Sequence, residues 1–261
     1  MRSWRTERIA GLHVRWSPGL GLPVVALHGL GSEGGDLTPL AAALPEAPLA
    51  LIDLPGFGRS GGVVHSMRAA AAQVIEVLDE LSWERPVWLG CSFGGHVALR
   101  AALDHPTRVG ALALADSGGY DPAPAPELGR RVQRRGPRRS RPGRRVPRPG
   151  RPDRPPERGH PRASRAPPRR PHHRRRLRLG GQRRDRRAAR RRPRHLEQIA
   201  APAELIHGAS DMLVPLSLAR AAARRLQRAR LTVLDGVGHL PWLEAPEALA
   251  ACVNDARNRA E

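Results

Sequence analysis

A serine held between glycines, at an abrupt change of hydrophobic pattern, constrains this chain more than any other feature. Residues 86–100 begin as a short apolar run, Val87-Trp88-Leu89, and pass through Gly90-Cys91-Ser92-Phe93-Gly94. They then continue with the apolar spacing and alanines of a helix. A sharp turn from strand to helix needs small neighbours, because the backbone doubles back and leaves the serine hydroxyl exposed at a sheet edge. The helix that follows aims backbone N–H groups at any negative charge forming beside that hydroxyl. Ser92 is therefore read as a nucleophile, against the blander alternative of an ordinary Gly/Ser turn.

The flanking sequence supplies a frame for such a turn. Residues 8–16 alternate as a strand pair, and the Ser17-Pro18-Gly19 turn ends them. Residues 22–27, 49–52 and 109–115 are continuous apolar runs, which suit strands covered on both faces and so a parallel sheet, and residues 203–207 are read as a further strand. Residues 230–234 complete the set as a last strand. Helices are predicted over residues 36–44, 66–81, 216–226 and 246–257. In the second, Ser66 is the N-cap and Val74, Val77, Leu78 and Leu81 share a face. Strands alternating with helices predict an α/β protein with a doubly wound sheet, whose ligands bind at the carboxyl ends of the strands. His28, Ser92 and Asp116 fall at such ends, as do the loops that hold Asp211 and His239.

A serine hydroxyl is a poor nucleophile near neutral pH; it needs a base to take its proton and an acid to hold that base in the right tautomer. His239 and Asp211 are the natural candidates, in the chain order serine, acid, histidine. With these residues the sequence resembles the α/β-hydrolase superfamily, in its group of single-domain esterase, lactonase and carbon–carbon bond hydrolases. The resemblance covers residues 8–120 and 196–257. It is carried by His28-Gly29-Leu30-Gly31, residues 53–60, the turn at Ser92, His207-Gly208-Ala209-Ser210-Asp211 with Val214-Pro215, and Gly238-His239 followed by Pro241 and Glu244.

The resemblance implies an α/β-hydrolase fold, a mostly parallel eight-stranded sheet with helices on both faces. It makes Ser92 the nucleophile, His239 the general base and Asp211 the orienting acid, with Asp116 as the alternative acid because some relatives use that position. The backbone N–H groups of Leu30 and Phe93 would form the oxyanion hole, and His28 and Gly29 the loop that supports it. Asp53 is expected to stabilise its glycine-rich turn. A serine at position 92, where epoxide- and halide-displacing relatives carry aspartate, argues against those chemistries. The implied substrate is a small ester, thioester, lactone or ketone, with no cofactor, and no spacing indicates a metal site.

One segment breaks the pattern. The 261-residue chain has a formal net charge of +21, as a nucleic-acid binder would. Residues 128–195, however, hold 29 arginines against Asp153, Glu157 and Asp185, and the rest of the chain is mildly acidic. This segment has too few large aliphatics to offset its ordering entropy, so disorder is expected there. Three domain stretches follow: residues 1–120 and 196–261 as the two parts of the hydrolase core, and 121–195 as an insertion where relatives carry a cap. The insertion reads as a cationic arm for nucleic acid or another polyanion, as a plain solvated insertion, or as a cap read out of frame. The absence of lysine throughout, and the abrupt return to pattern near His195, favour the last. A polyanion-binding protein on a hydrolase scaffold, or a catalytically silent homologue, are the rival functions. Cys91 and Cys252 make no disulfide framework, and no apolar run is long enough to span a bilayer or open a signal peptide, so a cytoplasmic enzyme is expected, its oligomeric state open.

Overall fold

The continuous apolar runs do become buried strands. The computed structural model describes residues 2–120 and 196–260, and the arginine-rich insertion lies outside the described residues. The expectations of a disordered segment, an arm or a displaced cap all fall there. Eight strands form one sheet: β1 (Arg5–Ile9), β2 (Leu12–Ser17), β3 (Val24–Leu27), β4 (Leu49–Ile52), β5 (Val87–Cys91), β6 (Ala111–Ala115), β7 (Ala203–Gly208) and β8 (Ala229–Leu234). Their spatial order is β1-β2-β4-β3-β5-β6-β7-β8. The pairs β1/β2 and β2/β4 are antiparallel, and the other pairs are parallel. This is the mostly parallel sheet expected from the sequence.

Period-two alternation sorts the strand side chains onto two faces. On β3, Val25 and Leu27 join one core, with Val74 and Leu78 of α2 (Met67–Glu80) and Val97 and Ala98 of α3 (Phe93–Asp104). Val24 and Ala26 join the other, with Leu40 of α1 (Thr38–Ala43) and Leu249 and Val253 of α6 (Pro246–Ala260). Each fully buried Leu, Ile or Val contributes about 1.5–3 kcal/mol, which explains why strands of only four to six residues hold such a sheet.

Local signals set the element ends. The Ser66 hydroxyl accepts the Ala69 N–H at 3.0 Å, capping α2 as expected. The helix expected over residues 36–44 begins as a 3-10 turn, Gly34–Leu37, because Gly34 donates its N–H to Asp53 Oδ1 at 2.7 Å instead of entering the helix. Helix α4 (Leu216–Ala223) ends before residue 226, where the chain turns and Arg225 pairs with Glu197. A four-residue helix, α5 (Pro241–Glu244), was not anticipated from the sequence; it is too short to show a period. No helix among the described residues is long and apolar enough to cross a membrane.

Candidate active site

Chain reversal on the sheet positions the site. From β3 the chain moves to β4 on one side and later to β5 on the other, so the exits of β3 and β5 flank a crevice at the point where the winding changes direction. Ser92 stands at the exit of β5 with φ 49° and ψ −107°, a left-handed backbone that is strained for a residue with a side chain. The surroundings hold it there. A Cβ on Gly90 would lie 2.5 Å from the Gly95 Cα, and one on Gly94 would lie 2.3 Å from the Leu27 carbonyl oxygen. These glycines let the first turn of α3 close onto β5 and onto the β3 exit loop.

That exit loop carries His28, Gly29 and Leu30. His28 is fully buried. Its Nε2 accepts the Leu54 N–H at 2.9 Å, and its Nδ1 lies 2.7 Å from the Gly29 carbonyl, which accepts only, so the proton sits on Nδ1. Burial pushes its pKa down, and the imidazole ties the β3 and β4 exits together as a neutral strut. A Cβ on Gly29 would lie 3.5 Å from the Ser92 Cβ, which places this loop against Ser92. The N–H groups of Leu30 and Phe93 make no turn or loop hydrogen bond among the described residues. Asp53 accepts the Gly34 N–H at Oδ1 and the Arg59 N–H at Oδ2, both at 2.7 Å, and so holds the glycine-rich turn.

Ser92, His239 and Asp211 come from three separate strand exits and meet in one line. The Ser92 Oγ lies 2.9 Å from His239 Nε2, and His239 Nδ1 lies 2.7 Å from Asp211 Oδ2. Asp211 Oδ1 accepts the N–H groups of Leu213 and Val214, at 2.7 and 3.0 Å. Burial pushes the Asp211 carboxyl up, but the hydrogen bond with His239 and these two N–H groups outweigh it and hold its pKa below the usual carboxylate range. Asp116 does not reach His239 in this arrangement; its Oδ1 accepts the Gly208 N–H at 2.9 Å, behind Asp211. Phe57 and Phe93, with ring centroids 5.9 Å apart, form a half-buried apolar pair, and Phe93 directly follows Ser92 in the chain.

Two contributors had no sequence reading beyond their place in a motif. Glu244 accepts the N–H of Gly238 at 2.7 Å and of Leu240 at 3.0 Å, bracketing His239 on both sides. His207, fully buried on β7, stands between Asp116 and Asp211. The only sequence signal for either was its polar character in an otherwise apolar or loop setting. Asp116, His207 and Asp211 bring one ligand-type atom each within 4.8 Å of one another. His207 Nε2 is engaged by the Val214 carbonyl at 2.9 Å and both Asp211 oxygens by N–H groups of the protein, while His207 Nδ1 and Asp116 Oδ2 have no hydrogen-bond partner among the described residues.

Residues 24–252 match the family model described as the alpha/beta hydrolase family. Among curated proteins, the chain is 37% identical over 109 residues to a pimeloyl-[acyl-carrier protein] methyl ester esterase of Shewanella woodyi, covering 41% of each chain. It is 40% identical over 119 residues to a 2-hydroxy-6-oxononadienedioate/2-hydroxy-6-oxononatrienedioate hydrolase of Cupriavidus pinatubonensis, covering 41% of this chain and 40% of that one. The aligned stretches thus span about two fifths of the length of these relatives. Among solved structures, a thermophilic esterase from Thermogutta terrifontis shares the fold with a TM-score of 0.68 at 19% identity, covering 99% of both chains. A meta-cleavage product hydrolase from Pseudomonas fluorescens does so at 0.66 and 19%, covering 98% of both.

Proposed function

This chain belongs to the alpha/beta hydrolase family, and from that premise we propose that it is a serine hydrolase. It cleaves a carboxylic ester, thioester, lactone or activated carbon–carbon bond beside a carbonyl through an acyl-enzyme. The observation that carries this reading is the unbroken hydrogen-bonded line from Asp211 through His239 to the Ser92 hydroxyl. The tautomer follows from it. Asp211 is held ionised and accepts the Nδ1 proton, so Nε2 presents a lone pair to the Ser92 hydroxyl.

In the proposed reaction His239 Nε2 takes the Ser92 proton as Oγ attacks the substrate carbonyl carbon. The resulting oxyanion sits against the N–H groups of Leu30 and Phe93, two donors fixed before the reaction begins; loss of one such donor costs about a hundredfold or more in rate. The imidazolium then protonates the leaving alcohol, thiol or carbon, and the acyl group stays on Ser92. A water deprotonated by His239 releases it as the acid. The names of the Shewanella and Cupriavidus relatives support an ester or a ketone as the carbonyl substrate.

A fluorophosphonate, which phosphonylates an activated serine, tests the reading on intact protein by mass spectrometry. One adduct on the wild type and none on Ser92→Ala is the expected result. Equal labelling of Ser92→Ala, or no labelling of a protein whose circular dichroism shows the α/β fold, would overturn it.

A further inference from the structure

Behind the triad lies a second buried acid–histidine pair that the reaction above does not use. Asp116, at the exit of β6, is fully buried and adopts φ 42°, a left-handed backbone held for a β-strand exit rather than a glycine turn. His207, on the adjacent strand β7, is also fully buried. Its Nε2 lies 2.9 Å from the Val214 carbonyl, which only accepts, so Nε2 carries a hydrogen. In the neutral ring Nδ1 is then a bare lone pair, and it faces Asp116 Oδ1 at 3.3 Å. Neither His207 Nδ1 nor Asp116 Oδ2 has another hydrogen-bond partner among the described residues. An ionised carboxylate oxygen set against that lone pair, away from water, is repulsive; one proton shared by the two atoms removes the conflict.

We propose that Asp116 is a positioning residue for the triad: with His207 it holds a single proton behind Asp211, leaving Asp211 the one ionised carboxylate that faces His239. The link runs through short contacts. Asp116 Oδ1 accepts the N–H of Gly208, the residue that opens the loop carrying Asp211, and His207 Nε2 lies 3.7 Å from Asp211 Oδ2. With Asp116 neutral, the loop is anchored and no second negative charge competes with Asp211 for His239. With Asp116 ionised, two buried carboxylates share the site and repel.

The titratable groups that act electrostatically on Asp116 are His207 and Asp211 from β7 and its exit loop, Glu244 from α5, the Cys91 thiol from β5 and the Tyr120 hydroxyl that follows β6. Burial pushes its carboxyl up to about 8, against the pull of the Gly208 N–H and with the neighbouring Asp211 and Glu244 adding to the rise. Burial likewise pushes His207 down, toward the neutral ring.

Only the kinetic arm of the test rests on the serine hydrolase reading. In the first arm, full-length protein carrying carbon-13 in its aspartate carboxyls is titrated by infrared spectroscopy, and the carbonyl stretch of a protonated carboxyl is followed. The band should be present near neutral pH, disappear around pH 8, and be absent from Asp116→Asn. In the second arm, the rate of fluorophosphonate labelling is measured against pH. The wild type should lose at least about fivefold across the same transition, while Asp116→Asn keeps a flat alkaline plateau. A protein that never labels refutes the hydrolase reading and leaves the infrared arm to decide the proton. Absence of the band near neutral pH, or the same alkaline profile in both proteins, would overturn the proposal; the titration of the wild type decides it even where the variant does not fold.

Discussion

Adding one methyl group at Gly94 tests whether the β3 exit loop is held by the turn at Ser92. A Cβ there would lie 2.3 Å from the Leu27 carbonyl oxygen, 2.6 Å from its carbon and 2.8 Å from the His28 carbonyl oxygen. All three are backbone atoms, so no side chain can swing away. Restoring ordinary contact at 3.4 Å requires the loop and α3 to separate by about 1.1 Å. Overpacking of this kind costs about 1–3 kcal/mol, and Gly→Ala within a helix returns about 1 kcal/mol. Gly94→Ala should therefore fold, losing no more than about 2 kcal/mol. The separation, however, falls between Ser92 and the Leu30 N–H, and a displacement of about 1 Å within a catalytic arrangement costs on the order of a hundredfold. Chemical denaturation measures the first quantity and the fluorophosphonate labelling rate the second. A variant that labels within threefold of the wild type would refute the reasoning, because the loop would then not depend on the missing Cβ.

Three further outcomes follow from the site geometry. Asp211→Asn keeps an oxygen for the Leu213 and Val214 N–H groups but sets an amide N–H against His239 Nδ1, forcing the wrong tautomer; labelling and turnover should fall by about 10⁴, and a loss under tenfold would show that another group orients His239. Glu244→Gln leaves one oxygen for the two N–H groups of Gly238 and Leu240 and sets its NH2, a donor, against the other; at about 1.5 kcal/mol for the lost bond, kcat should fall about tenfold with KM unchanged, and a change in KM alone would contradict a role in holding His239. Asp116 has a folded pKa raised to about 8, above the unfolded value of about 3.9. The folded state therefore keeps a proton that the unfolded state releases, and stability falls as pH rises through that window. Thermal melts of the wild type should lose ground to Asp116→Asn between about pH 5 and pH 8, and parallel melting curves would show that Asp116 ionises in the folded protein.

Much of the frame was legible because it is written in short-range pattern. Apolar runs such as Val24–Leu27 and Ala111–Ala115 lack polar alternation since both their faces are covered, and that alone distinguishes a parallel interior strand. Ser66 was legible as a cap because its hydroxyl serves an N–H three residues away. Gly90 and Gly94 were legible because a turn that tight excludes side chains. Helix α5 was not, since four residues carry no period, and neither was the Glu244 bracket that depends on it.

By itself, then, the sequence determined the class of fold, the order of its elements and the placing of Ser92, Asp116, Asp211 and His239 at strand exits. Only the tertiary structure decided how those exits meet. Strands β5, β6 and β7 lie side by side although the insertion separates β6 from β7 in the chain, so the carboxyls of Asp116 and Asp211 converge from residues far apart in sequence. Spacing along the chain cannot distinguish two carboxylates at neighbouring strand ends. A hydrogen bond of 2.7 Å can, and it joins His239 to Asp211 while Asp116 turns to Gly208 and His207. The physical reason is that strand and helix signals act over a few residues, whereas burial, protonation and hydrogen-bond choice at the site depend on which strands become neighbours.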